Sequence, residues 1–282
     1  DIARINRIIS PLVKNGQSLH QIYLDHVDEL MCSEKTLYNY VDAQLFDIRN
    51  IDLPRKVKYR PRYKQPEFKV DKGCRIGRNY AAFQKFLESN PETTIVQMDS
   101  VIGRVGGKCL LPIQFVETSF MLAFLRDANT SASVIQIINL LDQTLGSKTF
   151  DRLFPVILTD NGSEFYDPIH LEYDLDTGEK LCSVYYCHPN SPDEKPEIEK
   201  NHEYIRYVIS KKSSFEHLTK EDIKLLEDNI NNIPRDILGG KTPYELTKEK
   251  FPEFIEKINA NYIQPDDVTL NKKDIIGSET HE

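Results

Sequence analysis

Apolar residues recur at helical spacing through the first fifty positions. Those between Ile2 and Leu12 predict a first helix, which the Asn-Gly pair at 15–16 ends. A capping box at 18–21 predicts a second helix over 18–24, and Ser33 can cap a third over 34–42. Three short helices with tight connections suggest a helix-turn-helix, although a small bundle without a DNA role fits the periodicity equally well. The third helix would then face DNA bases with Lys35, Thr36 and Asn39.

The pattern changes to α/β from about residue 93. Three apolar runs at 94–101, 108–116 and 120–126 predict an antiparallel meander. A helix over 131–145, a strand over 154–159, a strand over 182–187 and a helix over 196–209 follow. This order is that of the ribonuclease-H-like fold. We therefore predict an α/β mixed sheet with flanking helices, preceded by a small all-α domain and followed by further helices after residue 218.

A basic segment separates the helical start from the α/β region. Its prolines at 54, 61 and 66 block a helix, and no acid interrupts its basic residues, which are Arg55, Lys56, Lys58, Arg60, Arg62 and Lys64. The segment is either a solvated spacer or an arm that follows DNA phosphates. The formal net charge of the whole chain is −8, but a phosphate responds to local charge within a Debye length of about 8–10 Å.

These shifts predict four parts of the chain: a helix-turn-helix domain at 1–50, a basic linker at 51–90, a catalytic domain at 91–215 and a C-terminal helical segment at 216–282. Hydrophobic residues make up 39% of the 282, which is enough for a packed core. No apolar run approaches the roughly 20 residues of a membrane span. The five cysteines form no CxxC pair, which fits a reducing cytoplasm. Because the chain begins at Asp1 rather than Met, we expect an upstream segment.

Three acids stand out by their position. Asp99 lies in an apolar strand, Asp160 ends the strand before an Asp-Asn-Gly turn, and Glu199 lies on the following helix at the rim of the core. Three carboxylates without a His or Cys partner favour hard cations such as Mg²⁺ or Mn²⁺. Two such ions would stabilise the attacking and leaving oxygens of a phosphoryl displacement. From spacing alone, Asp160 could instead only cap a turn and Glu199 could be a surface acid.

Several motifs occur in a fixed order along the chain. They are MDSVIG at 98–103, GGKCLL at 106–111, LTDNGSEF at 158–165, YCHP at 186–189, EKNHEYIR at 199–206 and KTPYE at 241–245. The ordered set resembles the DDE transposases of the IS30 insertion-sequence family, whose catalytic core is ribonuclease-H-like and retroviral-integrase-like. The resemblance covers about residues 3–250. It implies that Asp99, Asp160 and Glu199 are the catalytic triad, and that Mg²⁺ or Mn²⁺ supports cleavage of transposon ends and strand transfer into target DNA.

The chain departs from the family at Pro196, where members commonly carry Gly. Glu197 is a rival third acid, but it points about 200° away from Glu199 on a helix, and the Glu-x-Asn-His spacing favours Glu199. Arg206 lies two turns further on, where it could hold a DNA phosphate or pair with Glu203.

Two further residues are candidates for supporting roles. Asn161 could shape its turn or touch DNA, and His202 could orient water or substrate or be a satisfied polar group. The usual first helix-turn-helix of the family is not found among the 282 residues.

The resemblance also sets expectations about partners. We expect double-stranded DNA, both terminal repeats and target, a homodimer or larger synaptic complex, no membrane, and a bacterial cytoplasmic, nucleoid-associated location. Two alternatives stay open: a hydrolytic nuclease on the same core, and a non-catalytic DNA-binding repressor.

Overall fold

The first fifty residues fold as four helices around an apolar core of their own, which confirms the helical N-terminal region. The structure is a computed structural model that describes residues 2–54, 73–174, 177–189 and 191–276. The helices are α1 (Ile2–Lys14), α2 (Leu19–Asp25), α3 (Val27–Leu30) and α4 (Glu34–Asp42). Ser18 and Ser33 cap α2 and α4, as the sequence predicts, whereas the one-turn helix α3 was not expected.

A six-stranded mixed sheet forms the centre of the rest of the chain. Its strands are β1 (Ile95–Met98), β2 (Val101–Ile102), β3 (Cys109–Phe115), β4 (Met121–Arg126), β5 (Val156–Thr159) and β6 (Ser183–Tyr186). The order across the sheet is β4, β3, β1, β5, β6, with antiparallel pairs on the β3 side of β1 and parallel pairs on its β5 side. The short strand β2 continues the line of β1 along β3. The predicted α/β mixed sheet with flanking helices is confirmed.

Helices cover both faces of the sheet. They are α5 (Tyr80–Ser89), α6 (Ser131–Leu145), α7 (Ser147–Leu153), α8 (Pro168–Glu172), α9 (Pro196–Val208), α10 (Lys220–Asn231), α11 (Pro243–Lys250), α12 (Pro252–Lys257) and α13 (Lys272–Ile275). Because side chains alternate along a strand, Val96 and Met98 pack with α6, α7 and α12 on one face. Gln97 points to the other face, where its side chain accepts a hydrogen bond from the backbone of Ile198 in α9.

Helix α5 lies where the sequence analysis extended the linker to residue 90. Asn79 caps it, and its Phe83 packs against Val156 and Leu158 of β5. The end of the expected linker is therefore part of the packed α/β unit. The division of the chain into domains otherwise stays a prediction, and the basic residues from Arg55 to Lys64 lie outside the described residues.

The C-terminal helices join the sheet unit to the N-terminal helices. Helix α10 packs on β4, where Asn231 both accepts from and donates to the backbone of Met121. The segment between α12 and α13 reaches the turn after α1, where the backbone N–H of Leu270 donates to the backbone carbonyl of Asn15 at 2.8 Å. None of the helices in the described parts of the chain has the length and apolar character needed to cross a membrane.

Candidate active site

Asp99 lies at the break between β1 and β2, immediately after the last residue of the central strand. The sequence analysis placed it within one strand over 94–101, but the ladder stops at Met98 and resumes at Val101. The backbone N–H of Ser100 donates to Oδ1 of Asp99 at 2.7 Å, so the interruption turns the carboxylate onto its own backbone. Asp99 is thus at a strand end rather than inside a strand.

Asp160 occupies the equivalent position on the neighbouring parallel strand. Met98 and Thr159 are register partners, and each aspartate follows its partner directly, so the two carboxylates lie side by side at one edge of the sheet. The N–H of Gly162 donates to Oδ1 of Asp160 at 2.8 Å. Burial, and secondly the charge of Asp99, raise the pKa of Asp160 to about 6.

The turn after Asp160 is fastened to the next strand by Asn161. Its side-chain amide donates to the carbonyl of Cys187 at 2.7 Å, and its own carbonyl accepts from Arg75 at 3.0 Å. These contacts give Asn161 a part in shaping the turn, one of the two roles that its sequence position leaves open.

Glu199 approaches the aspartates from helix α9. One ligand atom from each of Asp99, Glu199 and His202 lies within 4.8 Å of the other two. Nδ1 of His202 is 3.7 Å from Oε2 of Glu199, and this ring is the main cause of a lowered pKa for Glu199. His202 was expected only as a supporting residue, whereas the structure places it beside the carboxylates. Asp160 is not in this group of three.

The rival acid Glu197 faces a different space. It lines a cavity of about 560 Å³ shared with residues of the N-terminal helices, such as His20 and Tyr38. Glu199 lines a separate groove of about 650 Å³. The side chains of Glu197 and Glu199 therefore point in different directions from α9, as their helical spacing predicts.

The groove beside Glu199 also carries basic residues. Arg206 and Lys211 line it together with Ser100, Glu199 and His202. The hydrogen bonds of Arg206 go to the carbonyl oxygens of Ile102, at 3.0 Å, and Ser210, at 3.5 Å. These bonds hold the guanidinium against the wall of the groove.

Lys195 is the residue of the site that sequence reasoning missed. Its side chain is 3% exposed, and its Nζ lies 2.9 Å from Oδ2 of Asp99. Burial lowers the pKa of Lys195, but the charges of Asp99 and Asp160 outweigh it, so the net shift is upward. No periodicity marks such a lysine, since it immediately precedes a helix in a segment that is otherwise exposed.

Several known proteins are similar to this chain in sequence. A probable transposase for the insertion-like sequence element IS1161 of Streptococcus salivarius is 29% identical over 238 residues, 82% of this chain. The IS30A transposase InsI of Escherichia coli K12 is 36% identical over 77 residues, 27% of this chain. The chain is therefore similar to insertion-sequence transposases.

These matches span only part of the two known proteins, 64% of the Streptococcus protein and 19% of InsI. No family model matches the chain. Among solved structures, the catalytic core domain of BIV integrase is 17% identical, with a TM-score of 0.38, over 55% of this chain and 94% of that one.

The side chains of the candidate site suit a divalent cation. Carboxylate oxygens from Asp99 and Glu199 are donors of the kind that divalent cations prefer, and the ring of His202 adds one nitrogen. The ammonium group of Lys195 already places a positive charge against Asp99.

The three residues expected to face DNA bases lie on α4. Lys35 and Asn39 are exposed and four residues apart, so they share one face of the helix. Thr36 is half-buried, and its hydroxyl hydrogen-bonds to that of Ser33 at 2.9 Å.

Proposed function

We propose that the chain is a DDE transposase that cleaves the ends of an insertion sequence and joins the freed 3′-hydroxyl to target DNA. One observation carries the proposal: Asp99 and Asp160 end neighbouring parallel strands at the same level, and Glu199 faces Asp99 from α9. A polynucleotidyl transferase of this kind needs convergent carboxylates beside a groove open to DNA. Relatedness to insertion-sequence transposases supports the same assignment.

In this proposal the carboxylates hold two divalent ions, Mg²⁺ or Mn²⁺. Asp99, Asp160 and Glu199 would hold them, with His202 beside Asp99 and Glu199. When bound, such ions supply positive charge to the attacking and leaving oxygens of a phosphodiester. Burial of Asp160 holds its carboxylate away from bulk water, which strengthens its attraction for a cation.

The chain's own residues then bind and orient the DNA. The guanidinium of Arg206, fixed by the carbonyl of Ile102, offers N–H groups to a phosphate at the groove wall, and Lys211 adds charge nearby. The residues Lys35, Thr36 and Asn39 of α4, together with the basic segment from Arg55 to Lys64, would bind the terminal repeats away from the scissile linkage. Holding two ends at once requires at least a homodimer.

A strand-transfer assay tests the proposal. The substrate is a pre-cleaved DNA end from the boundary of the element that carries this gene, with a supercoiled plasmid as target and Mg²⁺ or Mn²⁺ present. The wild-type chain should yield joined product, whereas Asp160→Asn and Glu199→Gln should lower the yield at least about a thousandfold. Glu197→Gln is the matched control, because it makes the same change on the other side of α9, and it should stay active.

The two alternatives give different results in the same assay. A hydrolytic nuclease would cut the DNA without forming joined product. A repressor would bind the end and show no reaction with either ion. Equal loss of activity in Glu197→Gln and Glu199→Gln would refute the assignment of Glu199.

A further inference from the structure

Lys195 is placed unlike the other lysines of the described residues, since it alone among them is buried. Its Nζ donates a hydrogen bond to Oδ2 of Asp99 at 2.9 Å, while Oδ1 of the same carboxylate accepts from the backbone of Ser100. The ammonium also feels the charge of Asp160. Lys195 therefore serves as the counter-ion of the aspartate pair at the sheet edge.

The position of this ammonium conflicts with a divalent ion on the same oxygen. A Mg²⁺ ligand oxygen lies 2.0–2.1 Å from the ion, closer than the 2.9 Å that separates Nζ from Oδ2 of Asp99. The ammonium of Lys195 and a divalent ion on the same oxygen would repel each other strongly, because little water separates them. An ion shared through Asp99 and the ammonium of Lys195 thus compete for one place.

The chain gives the side chain a route out of this place without moving the helix. The backbone N–H of Lys195 bonds to the carbonyl of Pro192, and Pro196 begins α9 directly after it, so the main chain is fixed on both sides. Pro192 and Pro196 both line the 650 Å³ groove. Rotation about the four side-chain bonds of Lys195 would carry its ammonium away from Asp99 while the main chain stays in place.

We propose that Lys195 is a tethered cation that neutralises Asp99 and Asp160 in the metal-free protein and is displaced when a divalent ion binds. The inference rests on the proposed function, because it takes Asp99 and Asp160 as ligands. It makes Lys195 a positioning residue that sets the affinity of the site for metal. Without it, the metal-free protein would bury two adjacent carboxylates with no positive partner.

Mn²⁺ binding to the full chain, measured by calorimetry and by electron paramagnetic resonance of free Mn²⁺, tests the inference without any reaction. Lys195→Gln should bind Mn²⁺ at least about tenfold more tightly than wild type, because the competing charge is gone. Lys212→Gln is the matched control, since it removes one exposed positive charge from the loop after α9 at a residue that does not line the groove, and its affinity should change less than about twofold. Equal or weaker Mn²⁺ binding by a folded Lys195→Gln variant would overturn the inference.

Two further measurements keep the outcomes separate. Asp99→Asn should abolish tight Mn²⁺ binding; if it binds Mn²⁺ as wild type does, the metal site of the proposed function fails, whatever Lys195 does. A crystal of the wild-type chain soaked in Mn²⁺ covers the case in which Lys195→Gln does not fold. Anomalous density at Asp99 with Nζ of Lys195 moved away supports displacement, whereas Nζ still hydrogen-bonded to Oδ2 beside the ion contradicts it.

Discussion

Asn201 is one of the residues that hold the helix of Glu199 against the sheet, and its replacement gives the sharpest stability prediction. Its side chain is 2% exposed. It donates to Oε1 of Gln114 on β3 and accepts from Nη2 of Arg235 at 3.0 Å. The Arg235 guanidinium also lies 4.2 Å from the ring centre of Tyr204, one turn further along α9.

The substitution Asn201→Leu keeps a similar volume and removes both hydrogen bonds. Leaving the carbonyl of Gln114 without its donor costs about 1–3 kcal/mol, and losing one bond to a charged group costs about 1.5–3 kcal/mol. We therefore expect the free energy of unfolding to fall by about 3–5 kcal/mol. Urea denaturation followed by circular dichroism measures it, with Lys200→Ala, an exposed change on the same helix, expected within about 0.5 kcal/mol of wild type.

A double-mutant cycle checks the reasoning behind that magnitude. If the cost of Asn201→Leu comes from a stranded carbonyl, adding Gln114→Leu removes that carbonyl, and the double variant should lose less than the sum of the two single changes. Additive losses, or a loss under about 1 kcal/mol for Asn201→Leu alone, would refute the view that this network fixes α9.

Three further predictions follow from the site. With a pKa raised to about 6 from 3.8, Asp160 binds its proton more tightly when folded, so it should contribute a fall of about 2 kcal/mol in metal-free stability as pH rises from 4 to 7; in urea denaturation with chelator, Asp160→Asn should remove that contribution. His202→Asn should weaken Zn²⁺ binding, which imidazole favours, by about tenfold or more in calorimetry while Mg²⁺ binding changes little; equal losses would contradict a ligand role. Arg206→Gln should weaken DNA binding and reduce its log–log salt slope by about 1 in fluorescence anisotropy, and an unchanged slope would exclude a phosphate contact.

The parts of this fold that local physics determines were predictable from the sequence. Helix α6 begins and ends where periodicity places it, at 131 and 145, and Thr130 and Thr219 cap the first turns of α6 and α10 through their side chains. The strand ends that carry Asp99 and Asp160 were found to within a few residues. Apolar runs followed by polar turn residues are a strong local signal.

The parts that depend on distant contacts were not predictable. The N-terminal helices dock on the C-terminal segment through pairs such as Asn15 with Leu270, and Gln17 with Val268, which are separated by more than 250 positions. Neither side of such a contact carries a pattern of its own. The burial of Lys195 belongs to the same class, since only the assembled sheet edge gives that ammonium its two carboxylates.

The aspartate pair and Glu199 are positioned by different interactions, and this difference decides how each responds to substitution. The backbone ladder of β1 and β5 fixes Asp99 and Asp160, so no single side-chain substitution nearby can shift one against the other. Glu199 is placed by α9, which meets the sheet through buried amides at Gln97 and Asn201 rather than through a ladder. Side-chain networks are lost piece by piece, whereas ladders are lost cooperatively. Substitutions around α9 should therefore displace Glu199 from Asp99, while Asp99 and Asp160 keep their relative positions.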